Sequence, residues 1–209
     1  GEDSGDECEP LLTAGPESPG LCGLTEENIS SQISDVLTIS DSLLIIYQMH
    51  TGYEYSFEPE RETISSFEDE YYNPFYTEPS ERSIAMAHHT IDEGASIVIQ
   101  HHPHVLQGLE FYNGKLIAHS LGNFVFDQNF PETFPSMILN AEYDETGFFG
   151  YQIIPIYLHY YLPQIATGNL ANYILDFMAM KSRKLNTYIK VDRENHIGEV
   201  VFDAPYFSY

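Results

Sequence analysis

The chain has 209 residues, 43% hydrophobic and 14% aromatic, a globular composition large enough for one sizeable core or two small ones. Thirty-two acidic against eight basic side chains give a formal charge of −24, which excludes unaided binding to polyanions and argues against nucleic acid as a partner. No stretch reaches the roughly 20 apolar residues of a membrane span, and the opening at Gly1 has neither methionine nor signal character, as expected of a mature or excised product.

Residues 1–24 (GEDSGDECEPLLTAGPESPGLCGL) lack apolar periodicity and hold many turn formers, which predicts a loop or extended arm. Its Cys8 and Cys22 are the only cysteines in the chain. They read either as a disulfide closing a small loop, which would place the protein outside the cytosol, or as two free thiols. Residues 25–209 read as one domain. From Thr25, a candidate N-cap, Ile29, Ile33, Val36 and Leu37 recur at helical spacing, and Leu43-Leu44-Ile45-Ile46-Tyr47 follow as a buried strand.

Residues 81–93 repeat this unit, with Ile84, Ala87 and Ile91 on one helical face, Gly94 as a C-terminal cap and Ile97-Val98-Ile99 as the next buried strand. Two helix–strand units in series predict an α/β fold with a largely parallel sheet. Between them, residues 54–80 carry eight acidic residues, seven aromatics and one base, Arg61. That is too long for a standard connection, so it reads as an insertion over the surface, either a lid or contact surface or a solvated acidic loop.

Asn113-Gly114 between Leu109-Glu110-Phe111-Tyr112 and Leu116-Ile117-Ala118-His119 predicts a tight hairpin. Residues 136–143 and 150–158 read as paired strands, 170–185 as an amphipathic helix, and 187–191 with 199–202 as a closing hairpin.

Two of the inferred parallel strands run into histidine: one reaches His50, the other His101, His102 and His104. Ligands of open α/β sheets bind beyond the carboxyl ends of the strands. If the segment is extended, His102 and His104 face the same way and can offer two imidazoles to one cation, while His101 faces away as support and Pro103 stiffens the spacing. The alternative is a histidine-rich turn with each ring satisfied by backbone, which is also the reading for His88, His89, His119, His159 and His196. Glu54 is either a carboxylate orienting an imidazole or the first acid of the insertion. Ser120-Leu121-Gly122-Asn123-Phe124 reads as a tight turn buttressing the histidines. Nucleophile elbows and phosphate-cradling glycine loops do not occur.

The sequence resembles the CapA-type poly-γ-glutamate capsule synthesis family, whose domain is similar to calcineurin-like metallophosphoesterases. The resemblance lies in Pro19-Gly20-Leu21, residues 41–46, His50-Thr51-Gly52-Tyr53-Glu54-Tyr55, residues 94–105 (GASIVIQHHPHV) and His119-Ser120-Leu121-Gly122-Asn123-Phe124, and it runs from about 19 to about 187. It implies an α/β/β/α sandwich with a mixed sheet, and divalent metal ions held by His50, His102 and His104, with Glu54 beside them and Asn123 closing the floor. Thr51 departs from the family's tryptophan, Ser96 from an aspartate, Gln100 from a glycine and His119 from a tyrosine.

The family's amino-terminal motifs, Gly-Asp, Asn-x-Glu and Asn-Asn-His, are not present, so the chain resembles the carboxyl-terminal half of the domain. An upstream fragment of the same protein or further copies of this chain are then the expected partners, since half a sheet leaves an apolar edge. Two functions follow. One is a metal-dependent, phosphoesterase-like enzyme of the cell envelope or extracellular face, meeting an anionic envelope polymer through its metal ions. The other is a non-catalytic extracellular assembly subunit, oligomeric or filamentous, that retains the fold. The acidity fits cation-bridged contacts or a saline habitat.

Overall fold

The computed structural model describes residues 14, 20–40, 42–52, 54–56 and 82–201. Most of the arm, with Cys8, and the acidic insertion beyond residue 56 lie outside the described residues. Cys22 is an exposed free thiol whose sulfur accepts a hydrogen bond from Gln32 Nε2.

Helix α1 (Glu26–Leu37) starts where the sequence places it, because the Thr25 hydroxyl accepts from Asn28 N at 3.2 Å and Glu26 and Glu27 sit at the positive end of the helix dipole. It buries Ile29 and Ile33 completely, side chains each contributing about 1.5–3 kcal/mol. Helix α2 (Arg82–Asp92) buries Met86, Ala87 and Ile91 beside them.

Strand β1 is Ile46–His50, three residues later than the apolar run suggests. Leu43 and Leu44 stay exposed, because the parallel register with β2 (Ile97–His101) begins only at Ile46↔Ile97. Ahead of that pair, the Ile45 amide donates to the Ser96 hydroxyl. Both strands therefore run on until a histidine is their last residue. The Asn113-Gly114 hairpin forms as expected, joining β3 (Leu109–Tyr112) to β4 (Lys115–Ala118) with φ of 49° and 74° at its two central residues.

The first sheet has the order β1-β2-β4-β3, mixed rather than largely parallel because β3 runs against its neighbour. The second is antiparallel throughout: β5 (Pro135–Asp144), β6 (Gly147–His159), β9 (Ile197–Val201) and β8 (Tyr188–Asp192) in that order, with β7 (Leu162–Ile165) on β6. Helix α3 (Gly168–Lys184) buries Ala171, Ile174, Leu175 and Met178. One core lies between α1, α2 and a face of the first sheet; the other joins its opposite face (Ile97, Leu116, Ala118) to the second sheet and α3. The fold is α/β, with two sheets and helices packed on both cores. No helix among the described residues is long and apolar enough to cross a membrane.

Candidate metal centre

Because β1 and β2 are parallel with His50 opposite His101, the loops leaving them start side by side. Thr51 N donates to His101 O at 2.9 Å, and Tyr55 N donates to Pro103 O at 2.8 Å, so the two loops are laced together. That lacing brings Glu54 next to the histidines. After His101 the chain is not extended: His102 has φ 109° and His104 φ 61°. The alternation expected of an extended His-x-His segment is thus replaced by two left-handed residues flanking Pro103, a strained arrangement for non-glycine side chains.

The two imidazoles nevertheless converge. One ligand atom each from Glu54, His102 and His104 lies within 4.8 Å of the other two. His50 stands against this group with its ring 4.5 Å from that of His102. His101 is turned aside, its Nε2 3.2 Å from Gln48 Oε1, in keeping with a supporting place. Glu54 Oε1 stands 3.8 Å from His104 Nε2.

The protonation state of His104 follows from a chain of hydrogen bonds. Gln128 Nε2 donates to Tyr55 Oη at 3.0 Å, leaving Gln128 Oε1 to accept from Asn123 Nδ2 at 2.9 Å. Buried Asn123 turns its Oδ1 to His104 Nδ1 at 2.9 Å, and since an amide oxygen only accepts, Nδ1 carries the hydrogen in this arrangement. The lone pair of His104 then lies on Nε2, which points at Glu54 Oε1 3.8 Å away. For His102, burial first, then the nearby His50 and His104, push the imidazolium down to a pKa of about 4, so at neutral pH the ring is uncharged and its lone pair free.

Gly122 sets this floor in place: at φ 75° an added Cβ would stand 3.0 Å from Pro135 O, so only glycine lets the turn pass β5 and deliver Asn123. Phe126 packs its ring 4.8 Å from that of His104, and Tyr55 stacks on the other side at 6.0 Å. The result is the inner end of a groove of about 500 Å³ between β1, β2 and β5, with no Lys or Arg among the described residues of its lining. Sequence reasoning misses Tyr55, Gln128 and Phe126, whose roles depend on loop packing.

The remaining histidines that the sequence assigns to satisfied positions include a second cluster, on the α2 face of the sheet. Glu110 accepts from both sides, Oε1 at 2.8 Å from His88 Nε2 and Oε2 at 2.9 Å from His119 Nε2. His119, fully buried, places Nδ1 2.7 Å from Gln100 Oε1, while Gln100 Nε2 donates to Ser83 O at 2.7 Å. Ser83 O only accepts, so Gln100 presents its oxygen to His119. Gln100 and His119, two of the residues that depart from the family pattern, are thus partners. Burial pushes the Glu110 carboxyl up, but the hydrogen bonds and charge of His119 and then His88 outweigh it and hold the group below its ordinary range.

Comparison with known proteins identifies the family. Residues 71–128 match the family described as bacterial capsule synthesis protein PGA_cap. The PGA biosynthesis protein CapA of Bacillus subtilis (strain 168) is 31% identical over 148 residues, covering 71% of this chain and 33% of its own length. The capsule biosynthesis protein CapA of Bacillus anthracis is 29% identical over 156 residues, 74% of this chain and 33% of that protein. The uncharacterized protein y4sH of Sinorhizobium fredii is 44% identical over 50 residues, 24% of this chain and 11% of that protein. The chain spans about a third of the length of the two CapA proteins.

Proposed function

The chain belongs to the CapA-type family of bacterial capsule synthesis proteins, and from that premise we propose that it serves capsule or envelope polymer synthesis through a divalent-metal site at the ends of β1 and β2. The observation that carries the reading is the convergence of Glu54, His102 and His104 within 4.8 Å, with the lone pair of His104 directed inward by Asn123. Two imidazoles and a carboxylate are the donor set of hydrolytic divalent-metal sites, and the spacing closes onto an ion with small side-chain rotations. His50, against the ring of His102, offers a third imidazole.

A divalent ion held there lowers the pKa of a bound water and polarises a phosphoryl or carbonyl oxygen. The chain's own residues do the rest. Asn123 holds a hydrogen on Nδ1 of His104 and so turns Nε2 towards Glu54, Tyr55 and Phe126 pack against the His104 ring, and His101 stays bonded to Gln48. In a chain of charge −24 whose groove offers no Lys or Arg among the described residues, an anionic polymer such as poly-γ-glutamate is met through cations. An extracellular or cell-envelope location follows from such a role.

β1 is the outer strand of the first sheet, and Ile46 on it is 52% exposed. An edge with no neighbouring strand among the described residues, beside the site, calls for a partner. We assign that place to the further sequence that the CapA proteins have and this chain does not span, supplying the rest of the metal ligands. A second copy of this chain is the alternative occupant, and it would make the chain an assembly subunit.

Elemental analysis and isothermal titration with Zn²⁺ and Mn²⁺, alongside hydrolysis of bis(p-nitrophenyl) phosphate, test the proposal. Binding of a divalent ion that His102→Ala abolishes is the expected result. A chain that takes up neither ion and assembles into regular oligomers overturns the metal site in favour of the assembly role.

A further inference from the structure

Beside the histidine groove lies a second cleft, and we propose that it binds a neutral saccharide. Strands β6 and β7 are joined by a two-residue turn, Tyr160-Tyr161, with φ of 49° and 67°. Positive φ at both central residues is the type I′ geometry, which Asn-Gly suits and bulky aromatic residues resist. The same chain uses Asn113-Gly114, with positive φ at both residues, for the turn between β3 and β4. Tyrosines at β6–β7 therefore work against folding, and Tyr160 does not recover the loss by packing, since it is 82% exposed. Side chains kept in a strained, exposed turn point to a role outside the fold.

The turn borders a cleft of about 320 Å³ lined by five aromatic rings, those of Phe126, Phe134, Tyr157, Tyr160 and Tyr161. Its polar groups are the amides of Gln128 and Asn129 and the imidazole of His159. The Tyr161 hydroxyl donates to Asn129 Oδ1 at 2.9 Å, which orients that amide and leaves its Nδ2 hydrogens without a partner among the described residues.

Among the described residues no Asp, Glu, Lys or Arg lines the cleft, in a chain with 32 acidic and eight basic side chains. An ionic ligand would find no counter-charge there, and a purely apolar one would strand the amides and the imidazole. A sugar ring meets both demands: its C–H face stacks on tyrosine while its hydroxyls pair with amide and imidazole nitrogens.

The cleft also communicates with the histidine groove. Phe126 lines both, and Gln128 is the amide that holds Asn123 and, through it, His104. A saccharide seated on the tyrosines would extend towards Glu54, His102 and His104. Its standing as a substrate subsite rests on the metal-site proposal; binding itself does not.

Saturation-transfer difference NMR on the whole chain tests the proposal, with tetra-N-acetylchitotetraose and maltotetraose as neutral probes and an oligomer of γ-linked glutamate as the charged control. Transfer to the ring protons of a neutral probe is expected. It should weaken by about tenfold in the double variant Tyr160→Asn with Tyr161→Gly, which restores the favoured turn and keeps or raises the melting temperature. It should persist in His102→Ala with EDTA present. Absence of transfer to both neutral probes, transfer that survives the double variant, or preference for the glutamate oligomer overturns the proposal. Loss of metal binding with saccharide binding intact removes only the metal site.

Discussion

Two clusters of histidine lie close together on β2 and its neighbours, and they differ in what is left unpaired. On the α2 face, His88, Glu110, His119 and Gln100 hold one another: both carboxylate oxygens, both nitrogens of His119 and both ends of the Gln100 amide have partners. At the strand ends, Nδ1 of His104 is bonded but its Nε2 stands 3.8 Å from Glu54, too far for a hydrogen bond. The ring nitrogens of His102 have no hydrogen-bond partner among the described residues. Number of histidines and depth of burial do not separate scaffold from site here; unused lone pairs directed at one point do.

The contrast breaks most visibly by removing a member of each cluster. Glu110→Ala leaves buried imidazoles facing a void and is expected to cost about 3–5 kcal/mol in guanidinium denaturation while leaving metal affinity unchanged. A loss below about 1 kcal/mol would mean that the cluster is not a structural unit. His104→Ala should do the reverse, lowering divalent-metal affinity about 100-fold, or about 2.7 kcal/mol by titration calorimetry. The metal-free fold should lose only the single bond to Asn123, about 1 kcal/mol.

How much of this the sequence carried differs between the same two regions. Asn113-Gly114 was legible because its backbone demand is written in residue type, and the helical spacing of Ile29, Ile33 and Val36 because burial imposes it. The ending of two neighbouring strands at His50 and His101 was legible, although β1 was set three residues early by an apolar run whose Leu43 and Leu44 stay exposed. The left-handed backbone at His102 and His104 was not legible, since neither residue type signals it. Nor was the bond between Gln100 and His119: each is unremarkable alone, and only the pairing of β2 with β4 makes them neighbours. The Tyr160-Tyr161 turn was hidden for the opposite reason, because its residues contradict its geometry.

Asn123 sharpens the comparison from inside the site. Asn123→Ala removes the acceptor that fixes the hydrogen of His104 on Nδ1, without touching a ligand atom. Metal affinity is expected to fall about tenfold, roughly 1.4 kcal/mol, and Asn123→Asp should restore most of it, because a carboxylate accepts the same hydrogen. If the alanine variant binds as the parent does, the orientation of His104 is set by packing against Phe126 and Tyr55 instead.

The two clusters are also expected to separate by pH. In the unfolded chain His102 titrates near 6.5 and in the folded chain near 4, so between those values the unfolded state binds a proton that the folded state refuses. Stability therefore falls as pH drops from 6.5 towards 4 and stops falling on this account below it. Glu110 acts in a different window: its folded carboxyl lies below the ordinary 4.5, so its contribution is present above that value and is lost as pH falls beneath it. Denaturation midpoints across this range should thus decline in two stages, with His102→Gln flattening the upper stage and Glu110→Gln the lower. Bound metal should steepen only the upper stage, since protons and metal compete for His102. A single stage that neither variant moves would show that the two clusters titrate as one, and that the open lone pairs of the strand-end histidines are closed in solution by another group of the protein.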